Sequence, residues 1–193
     1  MTSRSRLFLE AMEANNRDDN VTALRLMKAA AEQGDPVACF VAAFWHSGRE
    51  EGFPADRERC KFWLGKLEDL AEADNGEAQW ELGQHLRFGN LFSRSTKLAN
   101  YWLERAAKNG YGEAQHHLAW YLETGQYGYP VDPDASESWY GRAFEQEHPE
   151  TLYLFAIRLF IDGRPTDEAL RLLRKAADKG FKQAGHVLHD YLH

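Results

Sequence analysis

An all-α superhelix of about five helix pairs, closed by a terminal capping helix, is the fold that this 193-residue sequence predicts. Three observations predict it. Short segments recur with a period near 36 residues, and within each period small and apolar residues recur at helical spacing. Proline, aspartate and glycine stand where such helices must start and stop.

Leu7-Phe8-Leu9-Glu10 opens a helix over 7–16, and residues 1–19 form an N-terminal cap on the first repeat. The next helix, 21–33, carries a signature: Leu26, then Ala30-Ala31, then Gly34. The signature returns as Trp102, Ala106-Ala107 and Gly110 in a helix over 95–109, and as Leu172, Ala176-Ala177 and Gly180 in a helix over 166–179. A degenerate copy, Trp139 to Ala143-Phe144, ends on Glu147 within a helix over 133–146, and Trp63 marks the corresponding helix over 56–73. Each copy is followed by a small anchor residue: Ala38, Ala78, Ala114, Thr151 and Ala184, at spacings of 40, 36, 37 and 33.

The anchors begin the alternate helices, 36–47, 77–88, 113–124, 149–161 and 182–192. Ala78, Leu82, Gly83 and Leu86, like Ala114, Leu118, Ala119 and Leu122, lie at 0, +4, +5 and +8, which is one helical face. A small residue at +5 lets a neighbouring helix approach closely. Asp35-Pro36, Asp132-Pro133 and His148-Pro149 set proline in a first turn, Asp56 and Thr166 are N-caps, and Gly89 and Gly125 are C-caps. Neither helix of a pair buries its face alone, so stacking of repeats must make the core. The reading is a single domain over 1–193, with repeats over 20–181 and a C-terminal capping helix over 182–193.

These segments resemble the Sel1-like repeat family, whose pattern runs A-x-x-x-L-G-x-x-Y-x-x-G, a G-x-G-V loop, then D-x-x-K-A-x-x-W-x-x-K-A-A-x-x-G. The best matches are Ala78 to Gly83, Gly125 through Gly128 to Val131, Asp132 to Trp139, and Trp102 to Gly110. The resemblance covers roughly residues 20–192 and departs at Gly163-Arg164-Pro165 and around Leu67–Gly76. It implies a right-handed solenoid of antiparallel helix pairs, related to tetratricopeptide repeats, whose members look like adaptors and binding scaffolds. It also implies that the first helix of each pair lines a concave wall. Some members resemble secreted proteins with a disulfide in each repeat. Here Cys39 and Cys60 lack counterparts at the paired positions and read as two buried thiols.

A hydrophobic fraction of 44% with 13% aromatics excludes a disordered chain. Lys and Arg total 23 against 30 Asp and Glu, and the net charge of −7 opposes nucleic acid and anionic lipid as partners. No segment approaches the roughly 18 apolar residues of a membrane span. The N-terminal apolar run is too short for a signal peptide, and two cysteines build no disulfide framework, so a cytoplasmic, reduced protein is expected.

Catalytic signatures are absent from the sequence: it has no phosphate loop, H-E-x-x-H helix, G-x-S-x-G elbow or C-x-x-C pair. The expectation is a protein that is no enzyme and carries no cofactor and no metal. His186, His189 and His193 are spaced to turn two imidazoles toward one ion, but two ligands do not make a site. His116 and His117 point in different directions around a helix, and Glu145, Glu147 and Glu150 read as a solvated helix end.

With the buried face centred on 0, +4 and +8, positions +2, +3 and +6 of each first helix turn away from the core. From these the candidate partner-binding residues are Phe40, Phe44, Trp80, Gln84, His117, Trp120, Tyr153 and Ile157. For Phe40, Trp80 and Tyr153 at +2, sideways packing onto the next repeat is the competing account. Trp63, Trp102 and Trp139 are core by register. The functional expectation is a monomeric scaffold that holds a protein or peptide partner in this aromatic groove. Its alternative is a dedicated inhibitor, such as a toxin-neutralising immunity protein, which the acidic balance and small size also suit.

Overall fold

The computed structural model describes residues 4–161 and 163–192. The described residues form two compact units, which meet in sequence at Tyr111 and Gly112. The first unit holds α1 (Arg6–Asn15), α2 (Asn20–Glu32), α3 (Pro36–Trp45), α4 (Arg57–Glu72), α5 (Gly76–Phe88) and α6 (Thr96–Lys108). The second holds α7 (Gly112–Thr124), a 3-10 turn (Gln126–Gly128), α8 (Pro133–Glu145), α9 (Pro149–Arg158), β1 (Phe160–Ile161), β2 (Arg164–Pro165), α10 (Asp167–Asp178) and α11 (Lys182–Leu192). Every α-helix starts within one residue of its sequence-derived position.

The starts are so legible because a side chain fixes them. Asp19 accepts from the Thr22 amide at 3.1 Å, Asp56 from Arg59 at 3.0 Å, Asn75 from Ala78 at 2.9 Å and Thr166 from Ala169 at 3.1 Å. Each bond satisfies one of the amide donors that the first turn cannot pair internally. The stops follow a second rule. Gly89 takes φ 77° in the left-handed region and closes α5 on the His85 carbonyl. Where other copies place glycine after the second helix, Asp74 and Glu147 adopt φ 60° and 53°. Both carboxylates are held by donors: Arg105 and Asn109 reach Asp74, while Lys175 and Lys179 reach Glu147 at 2.6 and 3.2 Å. Glu147 is therefore engaged rather than a solvated helix end.

Consecutive helices pack on each other in chain order within each unit, and α3 also meets α5, the next first helix. The core of the first unit combines small residues such as Ala38 and Ala78 with Trp45, Trp63, Leu67 and Trp102. Small residues set the helix spacing. A Cβ on Gly83 would stand 3.2 Å from the Ala99 carbonyl of α6, so this site tolerates nothing larger than hydrogen without backbone movement. In the second unit Leu152, Ala156, Leu172, Leu173, Ala176 and Ala184 form the cluster between α9, α10 and α11.

Three expectations are corrected. Trp139 is half-buried, with Arg142 lying 4.6 Å over its ring, and Tyr140 at 2% exposure holds the core position. The buried stripe of α8 runs through Ser136, Tyr140 and Ala143, the repeat positions of Ala99, Leu103 and Ala106 in α6, with Ser136 donating to the Ala119 carbonyl and Tyr140 to Glu123, and this leaves Trp139 at the edge of the stripe. Helix α9 ends at Arg158, short of the expected 161, because Phe160–Ile161 pairs antiparallel with Arg164–Pro165 around Gly163 at φ 76°. Cys39 is fully buried, but Cys60 is only half-buried on α4.

Candidate functional site

The first helices show their side chains in three rows, and the rows behave differently. At +2, each aromatic or imidazole turns sideways onto groups supplied by the following repeat. The Phe40 ring stacks on His85 with centroids 3.3 Å apart. Trp80 tilts against Tyr111 at 6.4 Å, and Tyr153 against Phe181 at 5.1 Å. His116 places Nδ1 2.9 Å from the Thr151 hydroxyl. These rings are half-buried: the packing account describes their environment.

At +6 the picture changes. Phe44 and Gln84 are half-buried in the first unit, with Phe44 against Phe40 at 6.3 Å. In the second unit Trp120 is 37% exposed and Ile157 38% exposed, on α7 and α9. Trp120 is tilted on Tyr121 at 5.3 Å, and Tyr121 in turn gathers Tyr127 at 4.7 Å and Tyr129 at 6.1 Å. The loop that brings these tyrosines back takes Tyr127 through φ 51°, a left-handed conformation that costs a non-glycine residue strain. Of the eight predicted residues, Phe40 and Phe44 share one surface with His85, and His117 and Trp120 flank Tyr121. The rest are placed at the same repeat positions with no direct contact among them in the described interactions.

The structure also builds a polar cluster that the sequence reading did not assemble. His148 at 7% exposure donates from Nε2 to Glu113 at 2.9 Å, and its Nδ1 lies 3.3 Å from the Thr151 hydroxyl. His116 reaches Glu150 at 3.3 Å, and His117 donates to the Glu113 carbonyl at 3.0 Å. The bond from His148 holds the Glu113 carboxyl below the usual range, and the one from His116 does the same for Glu150. Burial pushes the His117 imidazole below its ordinary value. The signal was present: Glu113 and His148, like His116 and Thr151, are 35 residues apart, one repeat. His148-Pro149 reads first as a helix start, which masked it; unlike the Asp and Thr caps, the His148 side chain makes no capping bond. The cluster joins α7 to α9.

Among the described residues no group of three or more His, Cys, Asp and Glu side chains is arranged to hold a metal ion. His193 lies outside the described residues. No helix of the described residues is long and apolar enough to cross a membrane.

Five stretches, 16–35, 36–70, 76–111, 112–148 and 165–181, match the Sel1 repeat, together more than half of the chain. The unmatched intervals contain Gly163-Arg164, just before Pro165, and part of Leu67–Gly76, where the pattern departs. Chitin synthase regulatory factor 3 of Schizosaccharomyces pombe is 31% identical over 101 residues, 51% of this chain; the chain spans 10% of that protein's length. Among solved structures, a Sel1 repeat protein from Oxalobacter formigenes is 30% identical, with a TM-score of 0.56 over 66% of this chain and 98% of that one. The protective antigen c5321 of uropathogenic Escherichia coli strains, which displays an SLR fold, is 23% identical, with a TM-score of 0.58 over 95% of this chain and 40% of that one.

Proposed function

The chain belongs to the Sel1 repeat family, generally a protein-interaction fold, and on that premise we propose that it is a non-enzymatic scaffold holding a protein or peptide partner on its first-helix face. Trp120 and Ile157 are the apolar anchors in the second unit, with His117 beside Tyr121; Phe44 and Gln84 hold the same repeat position within the first unit. The observation that carries this reading is the exposure of Trp120 and Ile157, at 37% and 38%, in a row where an amphipathic helix ordinarily turns polar side chains to water. The +2 residues Phe40, Trp80 and Tyr153, occupied by their neighbours, hold the row in place. Large apolar and aromatic side chains supply most of the energy of protein interfaces because they bury much area at small entropic cost. The partner is a cytoplasmic protein met by a monomer of this chain.

The test is a pull-down from native lysate with wild type and Trp120→Ala/Ile157→Ala, with melting curves for both. The expected result is selective loss of one retained protein with melting unchanged. Partners that survive the double substitution would move the site off this face. A steep fall in melting temperature would assign Trp120 to the core. If the lost protein is an enzyme silenced by one-to-one binding, the scaffold acts as an inhibitor.

A further inference from the structure

A second opening lies away from the first-helix face, within the first unit. Leu82 and Leu86 of α5 and Leu98 and Trp102 of α6 line a pocket of about 380 Å³, with Glu68, Asp69 and Glu72 of α4 along its wall. The i, i+1, i+4 spacing of the three acids sets them on one side of α4. Glu72 is already met by Arg105 at 3.3 Å, whereas the Glu68 and Asp69 carboxylates make no hydrogen bond or ion pair among the described residues. They face an apolar floor. Glu68 is exposed, yet partial desolvation and the neighbouring Asp69 charge hold its carboxyl above the usual range, and a cation beside the pair would relieve that repulsion.

Leu98 is the part the repeat does not require. It sits three residues after the N-cap Ser95 and is 49% exposed. The same repeat position in the other second helices, four residues before Leu26, Trp63, Trp139 and Leu172, holds Thr22, Arg59, Ala135 and Glu168. A large apolar residue there serves no common packing need; here it extends the floor beside Trp102.

We propose that this pocket takes an arginine side chain of a basic partner protein, its aliphatic stem on Leu86 and Leu98 and its guanidinium between Glu68 and Asp69. The chemistry fits arginine best: three methylenes match the apolar floor, and a planar fork of donors matches two carboxylates. A bare metal ion finds no ring of oxygens on such a floor, and a net charge of −7 draws basic partners in. The proposal does not rest on the first-helix reading: losing a partner at Trp120 leaves this pocket's test unchanged.

The test titrates the ¹⁵N-labelled full chain with N-acetyl-arginine amide and, separately, with N-acetyl-citrulline amide, which has the same shape and no charge. The expected result is saturable shifts confined to residues 66–72 and 96–103, with citrulline binding about tenfold weaker, as loss of a charge-assisted contact implies. Glu68→Gln/Asp69→Asn should weaken arginine binding about tenfold, and Leu98→Ser should weaken both probes. The substituted residues are exposed, so the fold should hold in each variant, checked by circular dichroism. Equal binding of arginine and citrulline would overturn the proposal, as would shifts that do not saturate or that survive the acid substitutions.

Discussion

Acidification from pH 7.5 to 5 should cost about 2 kcal/mol of stability through His85 alone. The imidazole is packed on Phe40, neither ring nitrogen has a hydrogen-bond partner among the described residues, and Glu81 stands 3.6 Å from Nε2, beyond hydrogen-bond reach. Burial pushes the folded-state pKa from 6.5 to about 4. The unfolded chain therefore takes up the proton first as pH falls. Stability contributed by the neutral ring is fully present above 6.5 and is lost between 6.5 and 4. Integrating proton binding over that window gives about 2 kcal/mol at pH 5, equivalent to a urea midpoint shift on the order of 1 M for a chain of this size. The assay is urea unfolding of wild type and His85→Phe, which keeps a ring on Phe40, at both pH values. The variant should lose about 2 kcal/mol less than wild type between them. Equal losses would refute the reasoning and mean that Glu81 or water holds the imidazolium in the native state.

Trp102→Ala should cost about 3–5 kcal/mol of unfolding free energy, while Trp139→Ala should cost no more than about 1 kcal/mol; thermal melts of both separate the buried ring from the half-exposed one. Gly83→Val should destabilise by at least about 2 kcal/mol, because its Cβ meets the Ala99 carbonyl, and chemical denaturation checks it. His148→Ala should cost about 2 kcal/mol, and a double-mutant cycle with Glu113→Ala should return a coupling near 1 kcal/mol.

Most of the fold is legible because the features that define it are local. An N-cap, a proline in the first turn and a glycine at the end act within four residues, so helix starts are fixed by neighbours in sequence. What the sequence hides is how fully each position is covered. Trp139 keeps the repeat position of the buried Trp102, yet its ring stays half-buried under Arg142, and no property of Trp139 itself announces this. The site is split in the same way. Facing away from the core follows from register, but whether an outward ring meets water or a neighbour depends on residues some 30 to 45 positions onward, such as His85 for Phe40 and Phe181 for Tyr153. The His148–Glu113 link was hidden because two residues a repeat apart look unrelated until the helices are laid side by side.

The +2 row has a direction in time. The group that covers each ring is always encoded downstream: His85 for Phe40, Tyr111 for Trp80, Thr151 for His116, Phe181 for Tyr153. On the ribosome every repeat therefore emerges with its flank bare and stays so until roughly one more repeat has been synthesised. At the usual 5–20 residues per second that is an interval of a few seconds. Through those seconds the nascent chain presents one naked aromatic flank after another, and rare codons placed just beyond Tyr153 would prolong the last of them.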